Sequence, residues 1–166
     1  MAEDTKFVRG AAKLSQRIKT IRNSIALPSM VEEITDLLLK RTWRRFDRQV
    51  DPNENKWEPL KESTISEKKR SGFGDQPTLV RTKAMRKAIH AIRGGFGSTY
   101  FNTGAGGRIG IDDPEITEYA RVQNKGDKSH NIPARRFLGL GALDIRAVDG
   151  LMRRKGKQLE RQWEQS

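Results

Sequence analysis

Apolar residues recur every three or four positions through the first 25 residues of the chain. This spacing places one apolar stripe along a helix, and Lys and Arg occupy the other faces. The stripe needs a second surface to cover it, so the pattern predicts an amphipathic helix that packs on another element or subunit. The apolar positions are Phe7, Ala11, Leu14, Ile18, Ile21 and Ile25.

A second long helix is predicted from Ser29 to the residues just before Asp51-Pro52. Pro28 interrupts the first pattern, and Ser29 followed by Glu32 has the spacing of a capping box. The residue before a proline disfavours helix, so Asp51-Pro52 ends the segment. Its apolar side is formed by Met30, Val31, Ile34, Leu37 and Leu38.

Residues 51–74 are polar and rich in turn formers, with Trp57 and Leu60 as apolar anchors. We expect a long loop pinned by these two side chains. Ser63 to Arg70 is predicted to hold a short helix whose Lys68-Lys69-Arg70 run is solvated. A third helix of about three turns is predicted from Thr82 to Ile92.

After residue 97 the pattern changes from helical spacing to β-prone residues. Two β-prone segments, 98–102 and 108–112, flank a glycine-rich stretch and predict a β-hairpin. Asp113 and Pro114 then suit the start of a helix that ends at Gly126. The predicted fold is α+β in a single domain 1–166: a helical part (1–50) with long amphipathic helices, an α+β core with the long loop and a small antiparallel sheet (51–141), and a basic C-terminal helix (142–166).

Composition limits the chemistry that this chain can perform. Lys and Arg number 33 against 21 Asp and Glu, a net charge of +12, so acidic partners are expected. The chain has no Cys, which excludes disulfides, Cys-bound metals and thiol nucleophiles. Its longest apolar run, Leu37–Leu39, is far short of a membrane span, so we expect no membrane partner and no signal peptide.

The sequence offers no catalytic constellation. It has two histidines, His90 and His130, which are expected at the surface, and its glycines do not follow a phosphate-loop pattern. The densest acidic cluster could hold Mg²⁺ in a metal enzyme, although helix capping and solvation explain it better. We therefore expect no enzyme activity and no cofactor. The cluster consists of Asp112, Asp113, Glu115 and Glu118.

The excess of basic side chains is the most unusual feature of the composition, and these side chains are candidate contacts to anions or partner proteins. An alternative function is therefore sequence-independent nucleic-acid binding; no motif for reading bases is present. The candidate contacts are Arg41, Arg44, Arg45, Arg48, Arg136, Arg153, Arg154 and Lys155.

Residues 43–139 resemble a known family in the order of their motifs. Asp51-Pro52 is followed by Trp57-Glu58-Pro59-Leu60, and then by Leu79 with Thr82-Lys83-Ala84-Met85. The most specific segments are 119–126 (YARVQNKG) and 132–139 (IPARRFLG). They are similar to those of the phage virion morphogenesis, or tail completion, proteins. The family often has Thr-Gly-x-Leu at 82–85 and a His after Tyr-Ala, and this chain departs from both.

The resemblance implies a non-enzymatic protein of the neck that joins heads to tails as a ring of six copies. Its partners would be copies of itself, connector or head-completion proteins, tail tube or sheath proteins, and the viral DNA in the channel. It would be found in the host cytoplasm during assembly and then in the virion. The signature residues carried over are Trp57, Leu60, Tyr119, Ala120, Gly126, Pro133, Ala134, Arg135, Phe137 and Leu138.

From the motif and the residue types, we expect residues 133–137 to form a structural corner. Phe137 should be buried, and Arg135 should be hydrogen-bonded to backbone carbonyls or a carboxylate.

Overall fold

A computed structural model describes residues 27–74, 76–80, 83–91, 99–102 and 107–164 of the chain. The predicted first helix, Phe7 to Ile25, lies outside these residues. The architecture is α+β, as the pattern predicts. Its elements are, in order, α1 (Leu27–Arg48), α2 (Glu62–Arg70), α3 (Ala84–Lys87), β1 (His90–Ala91), β2 (Thr99–Asn102), β3 (Arg108–Ile111), α4 (Pro114–Lys125) and α5 (Ala142–Glu164).

Helix α1 spans 22 residues and supplies much of the core. Ile34, Leu38 and Phe46 are each 1% exposed, because steps of four and eight residues place them on one helix face. The prediction that this helix begins at Ser29 is wrong, since Leu27 and Pro28 are already helical. Proline is compatible with a first helical turn, where its missing N–H would have had no partner.

The sheet has three antiparallel strands in the order β1-β3-β2. β2 and β3 form the predicted hairpin, with Thr99 opposite Ile111 and Asn102 opposite Arg108. Central strand β3 places Ile109 and Ile111 in the core, both fully buried.

The predicted third helix, Thr82 to Ile92, is wrong. Within the described residues 83–91, the helix is confined to α3, and the chain then extends into β1, where His90 pairs with Gly110 and Ala91 with Ile109. Met85 and Ile89 are both buried, as their helical spacing suggested. The edge of β3 offers backbone partners distant in sequence, and this pairing overrides the local helical pattern.

Helix α2 lies where the short helix was predicted, but Lys68 is buried rather than solvated. Its ammonium group donates hydrogen bonds to the carbonyl oxygens of Gln76 at 2.6 Å and Pro77 at 3.1 Å. A buried cation needs such acceptors. Lys68 therefore fastens the loop after α2, while Lys69 and Arg70 are exposed as predicted.

Helix α4 begins and ends at the predicted residues. The Asp113 side chain accepts a hydrogen bond from the Glu115 N–H at 2.9 Å, and Pro114 is the first helical residue. Gly126 follows the last turn with φ of +79°, a conformation that glycine adopts without strain. Asp113 is thus a capping residue.

The C-terminal helix α5 packs against α1. Val148 and Met152 reach the core from one of its faces, and the opposite face carries most of its cations. Within the described ranges, no helix combines the length and apolar character needed to cross a bilayer.

Candidate functional site

The predicted corner, residues 133–137, belongs to an irregular segment that leads from α4 to α5. From here on, the corner denotes residues 133–141 of that segment. Arg135 is 4% exposed, and its guanidinium donates to the carbonyl oxygens of Glu58 at 2.9 Å and Pro59 at 3.0 Å. Trp57 is also buried, and its indole N–H donates to the Arg136 carbonyl oxygen at 2.9 Å. These bonds confirm Trp57 as the anchor of the long loop and bind that loop to the corner.

Burial has an electrostatic consequence for Arg135. Desolvation lowers the pKa of its guanidinium, and the nearby Glu58 charge opposes that shift. An arginine remains protonated at any physiological pH even when its pKa is lowered. Arg135 is therefore a fixed buried cation that holds backbone carbonyls together.

Asn124, in the last turn of α4, supports the corner and was not among the individual signature residues. Its side-chain oxygen accepts from the backbone N–H groups of Phe137 at 2.9 Å and Leu138 at 2.8 Å. Phe137 is fully buried, as predicted, and stacks at a tilt on Phe46 with ring centroids 5.2 Å apart. The end of α4 thus sets the backbone path that carries Phe137 into the core.

The corner is also tied to α1 through a buried ion-pair network. Arg45 is 4% exposed and donates to the carbonyl oxygens of Phe137 at 2.8 Å and Gly139 at 3.0 Å, and it pairs with Asp144. Arg41 donates from Nε to the other Asp144 oxygen at 2.5 Å. Desolvation lowers the pKa of Arg45, and the Asp144 charge opposes this.

This network corrects the prediction for two of the candidate contacts. Arg45 is a core residue, and Arg41 is a partly buried one, so both charges are directed at Asp144 rather than at a partner. Sequence reasoning also missed Asp144 itself. Its carboxylate accepts a hydrogen bond from the Gly141 N–H at 2.7 Å, as the third helical residue does in a capping box. The spacing of three residues between Gly141 and Asp144 was the sequence signal for this role.

Gly141 is where the corner meets the Asp51-Pro52 segment. A Cβ built on Gly141 would lie 1.6 Å from the Pro52 carbonyl oxygen, so no larger residue fits without moving the backbone. The separate motifs of the sequence, 51–60, 119–126 and 132–139, therefore converge on one buried joint.

The remaining signature residues are divided between core and surface. Ala120 and Leu138 are buried, Leu60 and Pro133 are half-buried, and Ala134 is exposed. Tyr119 is 53% exposed, so it is a surface residue. It stands at an open cavity of about 550 Å³, whose lining includes Leu60, Met85, Ile116, Ile132, Pro133 and Arg135.

The other candidate contacts are more exposed, although three of them have partners within the chain. Arg44, Arg136 and Arg154 are exposed. Arg48 pairs with Glu54, Arg153 with Asp149 at 2.8 Å, and Lys155 with Glu33 at 2.7 Å. Exposed pairs contribute little to stability, so the cations at the surface remain able to meet an anion.

Three members of the acidic cluster have partners outside it or cap a helix. Asp112 pairs with His90 at 3.0 Å, Glu118 pairs with Arg121, and Asp113 caps α4. Both histidines are exposed. Across the parts of the chain that the structure describes, no three His, Cys, Asp or Glu side chains are grouped as metal ligands.

Asp127 is expected to titrate at an unusually low pH. Its carboxylate accepts from the Ser129 hydroxyl at 2.6 Å and contacts His130 Nδ1 at 2.7 Å, and these bonds lower its pKa from 3.8 to about 2. The charged form is favoured by folding, so this contribution is complete above about pH 4 and is lost as the pH falls through 2. Carbon-13 NMR of the carboxyl group should give a midpoint near pH 2.

Ser129→Ala should raise that midpoint toward the ordinary value, because it removes the largest cause of the shift. Ser63→Ala, at another exposed serine, is the control and should leave it unchanged. The same midpoint in both variants would contradict the assignment.

The chain was compared with models of protein families, with curated proteins and with solved structures. The model of the phage virion morphogenesis family matches residues 4–156. Searches of curated proteins and of solved structures returned no match. Because the match covers more than nine-tenths of the sequence, including the whole corner and both segments that it fastens, this chain belongs to the phage virion morphogenesis family and has a structural or assembly role in a phage particle.

Proposed function

We propose that this protein is a tail-completion or tail-terminator component of the neck, where copies of it form a ring, six in number, that joins the head to the tail. The observation that carries the proposal is the family match over residues 4–156. The neighbours would be connector or head-completion proteins on one side and tube or sheath proteins on the other. The protein would reach this position from the host cytoplasm during assembly.

The surface of the described residues supports contacts between copies. Tyr119 and Leu143 are large apolar side chains that are 53% and 40% exposed, and contact with a neighbour would cover them. β2 is at one edge of the sheet, where backbone groups can pair with another chain. The buried joint at the corner connects α4, which carries Tyr119, to the start of α5, which carries Leu143.

A structural role without turnover also agrees with how the polar side chains are used. Arg45, Asp144 and Arg135 are buried and act as internal connectors. Asp112, Glu118 and Asp127 form surface pairs. Structural connections thus account for these charged groups without assigning them to a reaction.

The decisive experiment removes the protein from the phage. Infection with a deletion phage should yield DNA-filled heads and complete tails that do not join, visible by negative-stain electron microscopy. The protein supplied from a plasmid should restore joined particles. Normal plaque-forming particles without the protein would overturn the proposal. Sedimentation of the purified protein, alone and with isolated tails, should show whether the ring closes unaided or on the tail.

A further inference from the structure

We propose that the solvent-facing side of α5 is a binding surface for the phosphate backbone of double-stranded DNA. This inference rests on the proposed function, because the genome passes through a head–tail joint, and it assigns the face of the subunit that lines the passage. The surface, which we call the basic stripe, consists of Arg146, Arg153, Arg154, Lys157 and Arg161.

The five cations share one side of the helix. At 3.6 residues per turn they fall within an arc of about 100°, and all five are exposed. Asp144, Val148 and Met152 lie on the opposite side and are buried. At 1.5 Å per residue the stripe is about 22 Å long.

The acidic side chains that the structure describes near α5 offset one of the five charges of the stripe. Among the described side chains of residues 146–161, Asp149 is the acidic one, and it pairs with Arg153, whose side chain stays 70% exposed. Glu33 of α1 pairs with Lys155, which lies on the core-facing side of α5. The carboxylate of Glu33 is therefore separated from the stripe by the width of the helix, about 10 Å.

Gly150 interrupts the stripe in a way that favours close approach. A glycine inside a helix costs about 1 kcal/mol relative to alanine, so local stability does not explain it. A Cβ on Gly150 would be in ordinary van der Waals contact with Arg154 Nη1, at 3.5 Å, so the Arg154 guanidinium lies close to the helix backbone here. Gly150 therefore places no side chain of its own among Arg146, Arg153 and Arg154 on this side of the helix.

The chemistry of the stripe favours DNA over an acidic protein. Cores of protein–protein interfaces are depleted in charge and contain aromatic or aliphatic anchors, whereas the five residues of the stripe are all cations. Duplex DNA presents about one charge per 1.7 Å of axis, so a 22 Å row of cations meets a matching row of phosphates without reading sequence.

The test measures binding of the full chain to a fluorescent 20-base-pair duplex of arbitrary sequence by anisotropy, between 50 and 200 mM NaCl. Each phosphate contact contributes about 0.9 to the slope of log affinity against log salt, so five contacts predict about a 500-fold loss over this range. The triple variant Arg153→Gln, Arg154→Gln, Lys157→Gln should lower the slope by almost 3 and weaken binding at least tenfold at 100 mM.

The matched control removes three exposed cations elsewhere: Lys69→Gln, Arg70→Gln, Lys87→Gln. It has the same net charge as the stripe variant, and its affinity should stay within threefold of the original. Circular dichroism should show equal helix content in all three proteins, since glutamine is a good helix former.

Two outcomes would overturn the inference. Equal losses in both triple variants would mean that binding follows net charge rather than the stripe. No binding of the original protein at 50 mM would remove DNA as the partner and leave an acidic protein surface instead. Neither result bears on the proposed role in joining heads to tails, which the deletion phage tests. If the deletion phage formed joined particles, the measured DNA binding would still hold, but the stripe could no longer be assigned to the channel of a head–tail joint.

Discussion

The Asp144→Ala variant is expected to lose about 3–5 kcal/mol of unfolding free energy, because removing one partner of a buried ion pair leaves the other charge uncompensated. Asp144 is 1% exposed and accepts from Arg45, Arg41 and the Gly141 N–H. The substitution would leave Arg45 buried with only carbonyl acceptors. It would also remove the side chain that holds the start of α5.

Urea unfolding followed by circular dichroism measures this loss. Asp47→Ala is the matched control, since Asp47 also pairs with an arginine, Arg86 at 3.0 Å, but its side chain is 57% exposed. Such surface pairs contribute about 0–1 kcal/mol. A loss in Asp144→Ala no larger than in Asp47→Ala would contradict the buried network.

Two further variants separate charge from shape. Asp144→Asn keeps an oxygen for the Gly141 N–H but not the negative charge, so most of the loss should remain if the charge dominates. Arg45→Met combined with Asp144→Leu removes the two most buried charges together and leaves Arg41, whose side chain is 23% exposed and can reach water. Replacing a whole buried pair by apolar residues is often neutral, so this double variant should be more stable than Asp144→Ala.

Local patterns in the sequence were sufficient for α2, α4, the hairpin and all of α1 except its first residues. The periodicity of α1 and the signals at Asp113, Pro114 and Gly126 are properties of neighbouring residues, and the structure confirms them. β1 could not be found in this way, because His90 becomes a strand residue only through its pairing with Gly110. Nothing in the local sequence indicates this pairing, because the spacing of Met85 and Ile89 in the same segment is typical of a helix.

The same distinction applies to the charged residues. Arg44 and Arg45 are adjacent in the sequence, yet one is exposed and the other is in the core. What separates them is Asp144, 99 residues further along the chain from Arg45. Lys68 is a similar case within the Lys68-Lys69-Arg70 run. A sequence shows how many cations a segment has, but the fold decides which of them find internal acceptors and which remain for a partner.

Phe137→Ala is the second change with a large expected effect, again about 3–5 kcal/mol of unfolding free energy. The ring is fully buried and packs on Phe46, which in turn meets Trp57 edge-on with centroids 5.5 Å apart. Truncation would leave a cavity beneath the corner, and the surroundings cannot close it because Asn124 and Arg45 hold the backbone on both sides of the residue.

Phe137→Leu should recover part of the lost unfolding free energy by filling most of that cavity. The control Leu143→Ala removes a side chain that is 40% exposed, so it should cost less than about 1 kcal/mol. Urea unfolding of the three variants gives the comparison. If Phe137→Ala lost no more than Leu143→Ala, the aromatic ring would not be a core residue. The corner would then hold its shape through hydrogen bonds alone, and the joint between motifs 51–60, 119–126 and 132–139 would not depend on apolar packing.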